Sequence, residues 1–165
     1  MALSQTARRA AARGDPFTTL TAAEARAMSA FAAQILPSGE LPGAADAGVI
    51  YFVDQGLGTH FANMLEPIRA GLADLDARAR VANPPGPDFA GLSSDGQVVV
   101  MRAVETTPFF FTARMLTIMG MFSDPSYGGN RDGAGWRLLD AAHQGSYQPP
   151  FGYYDAEVAA GGGDE

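Results

Sequence analysis

A chain of 165 residues with 47% apolar and 18% charged side chains is the size of one domain and too apolar for a disordered segment, so a single packed core is the expectation. Its formal charge of −7 argues against nucleic acid as a partner, because phosphate binding needs a clustered positive footprint. No cysteine is present, which excludes disulfides, thiolate nucleophiles, iron–sulfur clusters, zinc-thiolate sites and covalent haem attachment together.

Residues 1–16 carry Arg8, Arg9, Arg13 and Asp15 and read as a tail. Arg8-Arg9 matches the arginine pair of an export signal, but Ala10 to Pro16 supplies no apolar h-region. The chain as written is therefore expected in the cytoplasm, or in the periplasm if a partner carries it or its true N-terminus differs. Thr21 followed by Glu24 forms a capping box, in which each side chain satisfies an otherwise orphan N–H. Met28, Phe31, Ala32 and Ile35 then share one helical face, and Pro37 stops the helix. Pro42-Gly43 opens a second helical segment, with Ala45, Val49, Phe52 and Val53 on one face before Gly56 and Gly58 end it. A third helix is expected from about Thr59 to Val81, kinked or restarted at Pro67, because Ile68, Leu72, Leu75 and Ala79 keep the period beyond it. Asp74 and Asp76 on that helix read as a solvated face. Asn83 to Leu92, with Pro84, Pro85, Gly86 and Pro87, reads as a loop.

Ser94 with Gln97 offers another capping box, opening a helix through Val98, Met101 and Val104. Thr107-Pro108 suits the cap and first position of the next helix. That helix carries Phe109, Phe110, Phe111, Met115, Leu116, Ile118 and Met119 on every face, so it must be buried centrally or between chains. Its apolar run, Phe109 to Phe122, is shorter than the roughly 18 residues of a membrane span and is interrupted by Arg114, so no span is expected. Ser123 to Gly135 is rich in Asp, Pro, Ser, Gly and Asn and reads as an extended loop, followed by a helical turn at Trp136 to Asp140. Beyond it, Tyr147, Phe151, Tyr153 and Tyr154 show no periodicity and are expected to pack back on the domain or grip a partner.

With no repeat and no convincing strand pair, the fold class expected is all-α: a small irregular domain of about five helices with long Gly/Pro-rich loops and an extended aromatic C-terminal tail. The expected division is a tail over 1–16, a helical domain over 17–142 and an aromatic, acidic tail over 143–165.

Catalytic chemistry finds little to use. His60 and His143 are the two imidazoles, and neither sits in a motif that supplies a nucleophile and an orienting group. Gly133-Ala134-Gly135-Trp136-Arg137-Leu138 fails the dinucleotide pattern at its third glycine, and no phosphate-binding loop is present. No catalytic, cofactor-binding or metal residue is therefore expected in this chain. Asp124, Asn130 and Asp132 share one loop and offer oxygens to a hard cation, but without EF-hand spacing or its glutamate. Asx turns and caps are the expected use of all three.

The stretch from Met121 through Phe122, Ser123, Asp124, Pro125, Ser126, Tyr127, Gly128, Gly129, Asn130, Arg131, Asp132, Gly133, Ala134 and Gly135 to Trp136 resembles the signature of gluconate 2-dehydrogenase subunit 3. Further segments agree in order: Leu20-Thr21 with Glu24, Ile35-Leu36-Pro37, Pro42-Gly43 with Asp46 and Gly48-Val49, then Phe52-Val53-Asp54. Gly71-Leu72 with Leu75-Asp76, Phe89 to Gln97, and Phe109-Phe110 complete a likeness over residues 19–137. The resemblance implies a non-catalytic helical subunit of bacterial complexes. Its partner is then a large glucose-methanol-choline-type flavoprotein that carries the FAD, often with a cytochrome c or other electron acceptor. Such a subunit binds, stabilises and helps mature a dehydrogenase of sugars, sugar acids, glycosides or related alcohols. The chain departs from the family in lacking the export h-region, and after Leu139, where Asp140-Ala141-Ala142-His143 replaces the usual Gly-Phe-Pro-Gly. A stand-alone binding or scaffolding module, or a metal-dependent enzyme using Asp124 and Asp132, are the alternatives.

The composition of the loop marks it as the docking feature. Tyr127 and Trp136 are hot-spot types, Arg131 suits carboxylates opposite, and Gly128, Gly129 and Asn130 allow close backbone approach. With Asp124, Pro125, Asp132 and the neighbouring Phe109 and Phe110, these residues form the expected partner face. The competing expectation is that Trp136 plugs the chain's own core and the glycines shape its lid.

Overall fold

The structure, a computed structural model, describes residues 13–82, 86–141 and 152. Within them the chain is all-helical, with α1 (Ala22–Ile35), α2 (Val49–Gly58), α3 (Leu65–Ala82), α4 (Ser94–Arg102), α5 (Pro108–Phe122) and α6 (Ala134–Leu138). Short 3-10 turns at Ala62–Met64, Phe89–Gly91, Pro125–Tyr127 and Arg131–Gly133 connect them.

Local chemistry sets several boundaries. The capping box at α1 is complete: Glu24 N donates to Thr21 Oγ1 at 3.2 Å, and Thr21 N donates to Glu24 Oε2 at 2.8 Å. Thr107 caps α5 by accepting from Phe110 N, with Pro108 at the first helical position, where its missing N–H has no intrahelical partner to lose.

Other boundaries differ from the sequence expectation. Residues 44–48 form turns, so α2 begins at Val49 after a left-handed Gly48. Ala45 is exposed and Ala44 and Ala47 are buried in its place. Helix α3 starts at Leu65, and Thr59 to Phe61 lie outside it. Pro67 is thus in its first turn, where backbone N–H groups are unpaired anyway, and no mid-helix kink is needed. The cap of α4 is Ser93, whose hydroxyl accepts from Gly96 N. Gln97 plays no part in it, because its buried carboxamide donates to the Phe89 carbonyl at 3.3 Å and accepts from Gln34 Nε2 at 2.7 Å. Asp76 is likewise not on a solvated face: it accepts from Phe89 N at 3.0 Å, holding the loop against α3, while Asp74 pairs with Arg78 on the surface. Helix α6 begins at Ala134, two residues ahead of expectation.

Helix α5 runs through the middle of the packing and touches α1, α2, α3 and α6. Phe31 of α1 is fully buried and meets Phe109 and Phe110 edge-on at centroid distances of 5.7 and 5.4 Å, geometry that places ring edges on ring faces. Gly71 makes the α3–α5 approach possible, since a Cβ there would sit 1.9 Å from the Phe109 ring.

The approach to α1 is held by a buried charge. Asp54 of α2 is 5% exposed, and its carboxylate accepts from Thr18 N, Thr18 Oγ1, Thr19 N and Leu20 N at 2.8–3.0 Å. Arg69 of α3 reaches the same segment through the Thr19 carbonyl at 3.1 Å and lies 3.0 Å from the Glu24 carboxylate. Phe17 completes the strap by packing on Tyr51. In the bend before α2, Asp46 accepts from Ser38 Oγ and Gly43 N, which holds its carboxyl below the usual aspartate range.

Asparagine at position 54 keeps one acceptor oxygen and adds an NH₂ that faces donors. Leaving one or two buried N–H groups unpaired costs about 2–4 kcal/mol, so Asp54→Asn is expected to lower the melting temperature by roughly 5–15 °C. Thermal unfolding monitored by circular dichroism checks this, and an unchanged midpoint would show that the strap is not held by the carboxylate.

Candidate functional site

The loop that follows α5 is built around one side chain. The last carbonyls of a helix have no partner within it, and those of α5 end half-buried against the following loop. Asn130 answers two of the needs: its backbone N–H donates to Gly120 O at 2.8 Å and its Nδ2 donates to Ser123 O at 2.8 Å. Its Oδ1 accepts from Gly135 N at 2.8 Å, which ties α6 to the same point. The residue is fully buried and left-handed, with φ 44° and ψ 43°, a conformation that asparagine tolerates better than most residues. The Trp136 indole N–H donates to Phe122 O at 2.9 Å. Arg131 N donates to Ala47 O at 3.0 Å, so the loop also clasps the bend ahead of α2.

Gly129 is present because its position has no room for more. A Cβ there would lie 2.1 Å from the Gly120 carbonyl oxygen, which is backbone and cannot turn aside.

The structure therefore divides the expected partner face. Gly128, Gly129 and Asn130 are buried in the chain's own interior, and the inward side of the loop serves this fold. Trp136 is half-buried, with its indole used on α5. Phe109 and Phe110 are half-buried against Phe31. Asp124 accepts from Ser126 N, an Asx turn closing the 3-10 turn that Pro125 begins. Tyr127, Arg131 and Asp132 remain exposed. Asp124, Asn130 and Asp132 do not present a shared set of oxygens, since the Asn130 carboxamide is used at both ends. Among the described residues no group of three or more histidines and acids is placed to hold a metal ion. His60 stands exposed beside Thr59, its Nδ1 3.2 Å from Thr59 Oγ1, and His143 lies outside the described residues. So do Tyr147, Phe151, Tyr153 and Tyr154.

The all-round apolar character of α5 is legible in the sequence, but which of its residues face outward is not. Phe111, Met115 and Met119 are 61%, 38% and 36% exposed, and Tyr127 is 50% exposed. At spacing i, i+4 and i+8 the first three form one ridge about 12 Å long. The buried face of the same helix is made of Ala113, Leu116, Thr117, Gly120 and Met121. At its C-terminal end the ridge runs into a groove of about 320 Å³, lined by Phe52, Gln55, Gly56, Thr59, His60, Phe61, Met119, Ser123 and Tyr127. No described helix is long and apolar enough to cross a membrane.

A family model described as gluconate 2-dehydrogenase subunit 3 matches residues 22–141, most of the chain. No curated protein and no solved structure matches it.

The two roles of Asn130, its left-handed backbone and its bridging side chain, are separable. Asn130→Gly keeps the backbone and loses the side-chain bonds, for an expected cost of about 2 kcal/mol. Asn130→Ala adds left-handed strain of about 1 kcal/mol and is expected to be the less stable of the two. Urea titration ranks them, and equal stability would deny the backbone a part.

Proposed function

We propose that this chain, which belongs to the gluconate 2-dehydrogenase subunit 3 family and is an accessory subunit of a dehydrogenase complex, docks on a large flavoprotein of the glucose-methanol-choline type. The FAD and the proton-abstracting base belong to that partner, and a cytochrome c or another acceptor takes the electrons. The oxidised substrates are sugars, sugar acids, glycosides or related alcohols. This chain's part is to hold the flavoprotein in its folded, cofactor-loaded form, by mass action on the state it binds.

The ridge of Phe111, Met115 and Met119 carries this reading. Three large apolar side chains in line on a helix are a patch of the kind that marks a protein interface, and the subunit family supplies a partner to cover it. Tyr127, Arg131 and Asp132 on the exposed side of the loop extend the face with the aromatic and arginine side chains that dominate hot spots.

Two outcomes are expected. Phe111→Glu combined with Met115→Glu should weaken capture of the co-produced flavoprotein by about 30-fold or more, the effect of losing about 2 kcal/mol at a hot spot. Its melting temperature should stay near that of the wild type, because both positions face solvent. Undiminished capture would remove the ridge from the interface. The purified single chain should also be colourless, with the flavin spectrum appearing only in fractions that contain the large subunit. A stoichiometric flavin band in the single chain would move the cofactor to this subunit.

A further inference from the structure

Sulfur chemistry in this chain belongs to methionine alone, since it has seven methionines and no cysteine. Met28 and Met121 are fully buried, Met101 is 6% exposed and Met64 is half-buried, whereas Met115 and Met119 stand open to solvent at 38% and 36%. Met1 lies outside the described residues. The two exposed thioethers are four residues apart on the outward face of α5, which makes them neighbours one helical turn apart. Met119 also lines the groove at the end of the helix, where the polar Gln55, Thr59, His60 and Ser123 stand among the aromatic walls. A small hydrated reagent has access there, and the close-packed interior around Met28 and Met121 admits none.

An accessible thioether is oxidised by hydroperoxides, and susceptibility follows exposure. The sulfur lone pair attacks the outer peroxide oxygen, and the O–O bond breaks as the S–O bond forms. The proton of that oxygen passes to the leaving one, which departs as water or an alcohol. Sulfur gives up two electrons and the peroxide receives them. The product sulfoxide is polar and chiral where the thioether was apolar and flexible. At positions 115 and 119 it turns two of the three ridge residues into hydrogen-bond acceptors, and an apolar contact across the ridge must then strip their hydration.

We propose that Met115 and Met119 form a modification site for hydroperoxides, oxidised to sulfoxides while the core methionines are spared, and that this oxidation switches off association through the outward face of α5. The site itself stands on the exposure and chemistry of the free chain, whereas the switch rests on the function proposed above. A bound partner covers the same thioethers, so the complex is protected and the free subunit is the form that is oxidised. The change is reversible, because methionine sulfoxide reductases restore the thioether.

The full chain, alone and co-produced with its flavoprotein, is treated with hydrogen peroxide. Peptide mass spectrometry follows the oxygen gained at each methionine, and circular dichroism follows folding. In the free chain Met115 and Met119 are expected to oxidise about 10-fold or more faster than Met28, Met101 and Met121, with the helical signal retained. Equal rates in the folded chain, or no oxidation at 115 and 119, would overturn the site. Capture of the flavoprotein by the oxidised chain should fall about 10-fold or more, the effect of burying an unpaired acceptor, and should return after reductase treatment. A chain carrying both Met115→Leu and Met119→Leu, swaps that keep volume and apolarity, should capture the flavoprotein equally well before and after peroxide. Undiminished capture by the oxidised wild type, or an equal loss in the double variant, would overturn the switch. If the untreated chain captures no flavoprotein, the proposed function falls and the switch with it, while the mass spectra still decide the site.

Discussion

Helix α5 ends half-buried against the loop that follows it, where its final carbonyl oxygens have no following helical turn to bond with. A buried carbonyl left alone costs as much as a lost hydrogen bond, so the chain must bring donors to that point. It does so with a loop that doubles back: Asn130 supplies two donors and the Trp136 indole a third. The chain must pass within contact of the Gly120 carbonyl to do this, which is the reason for glycine at 129. The same loop reaches Ala47 and positions the bend from which α2 departs. Capping one helix thereby orients a second.

The packing around α5 decides what remains outside. Its inner face combines the small residues Ala113, Thr117 and Gly120 with the fully buried Leu116 and Met121. The Thr117 hydroxyl is satisfied by the Ala113 carbonyl at 2.8 Å, so even this polar residue packs without an unmet group. With the inner side filled, Phe111, Met115 and Met119 face outward. An all-round apolar helix in this fold thus packs one side on its own chain and leaves the other exposed.

Two buried polar side chains join elements that hydrophobic contact alone would leave free to slide. Asp54 gathers the backbone of residues 18–20 onto α2, and Gln97 connects α4 to the Phe89 turn and, through Gln34, to α1. Each is directional, so each fixes a position that the surrounding apolar contacts tolerate over a range.

The sequence by itself determined the helices wherever a local signal was complete. Thr21 with Glu24, Thr107 with Pro108, and the 3.6-residue spacing of Met28, Phe31 and Ala32 act over a few residues and need no distant partner. The family likeness was also legible, because it resides in residue order. The uses of the quoted motifs were not, since they lie in contacts across the fold: Leu20 meets Asp54 from 34 positions away, and Asn130 holds Gly120 and Gly135 together. Gln97 three residues after a serine looks like a cap by spacing, yet burial beneath Phe89 gave it better partners. The inside and outside of α5 could not be read either, because its apolar residues occur on every face and periodicity carries no direction there. Only tertiary structure decided which side turned inward, because large apolar residues lie on both sides of the helix and the packing of α1, α2 and α3 against it determines which of them are covered.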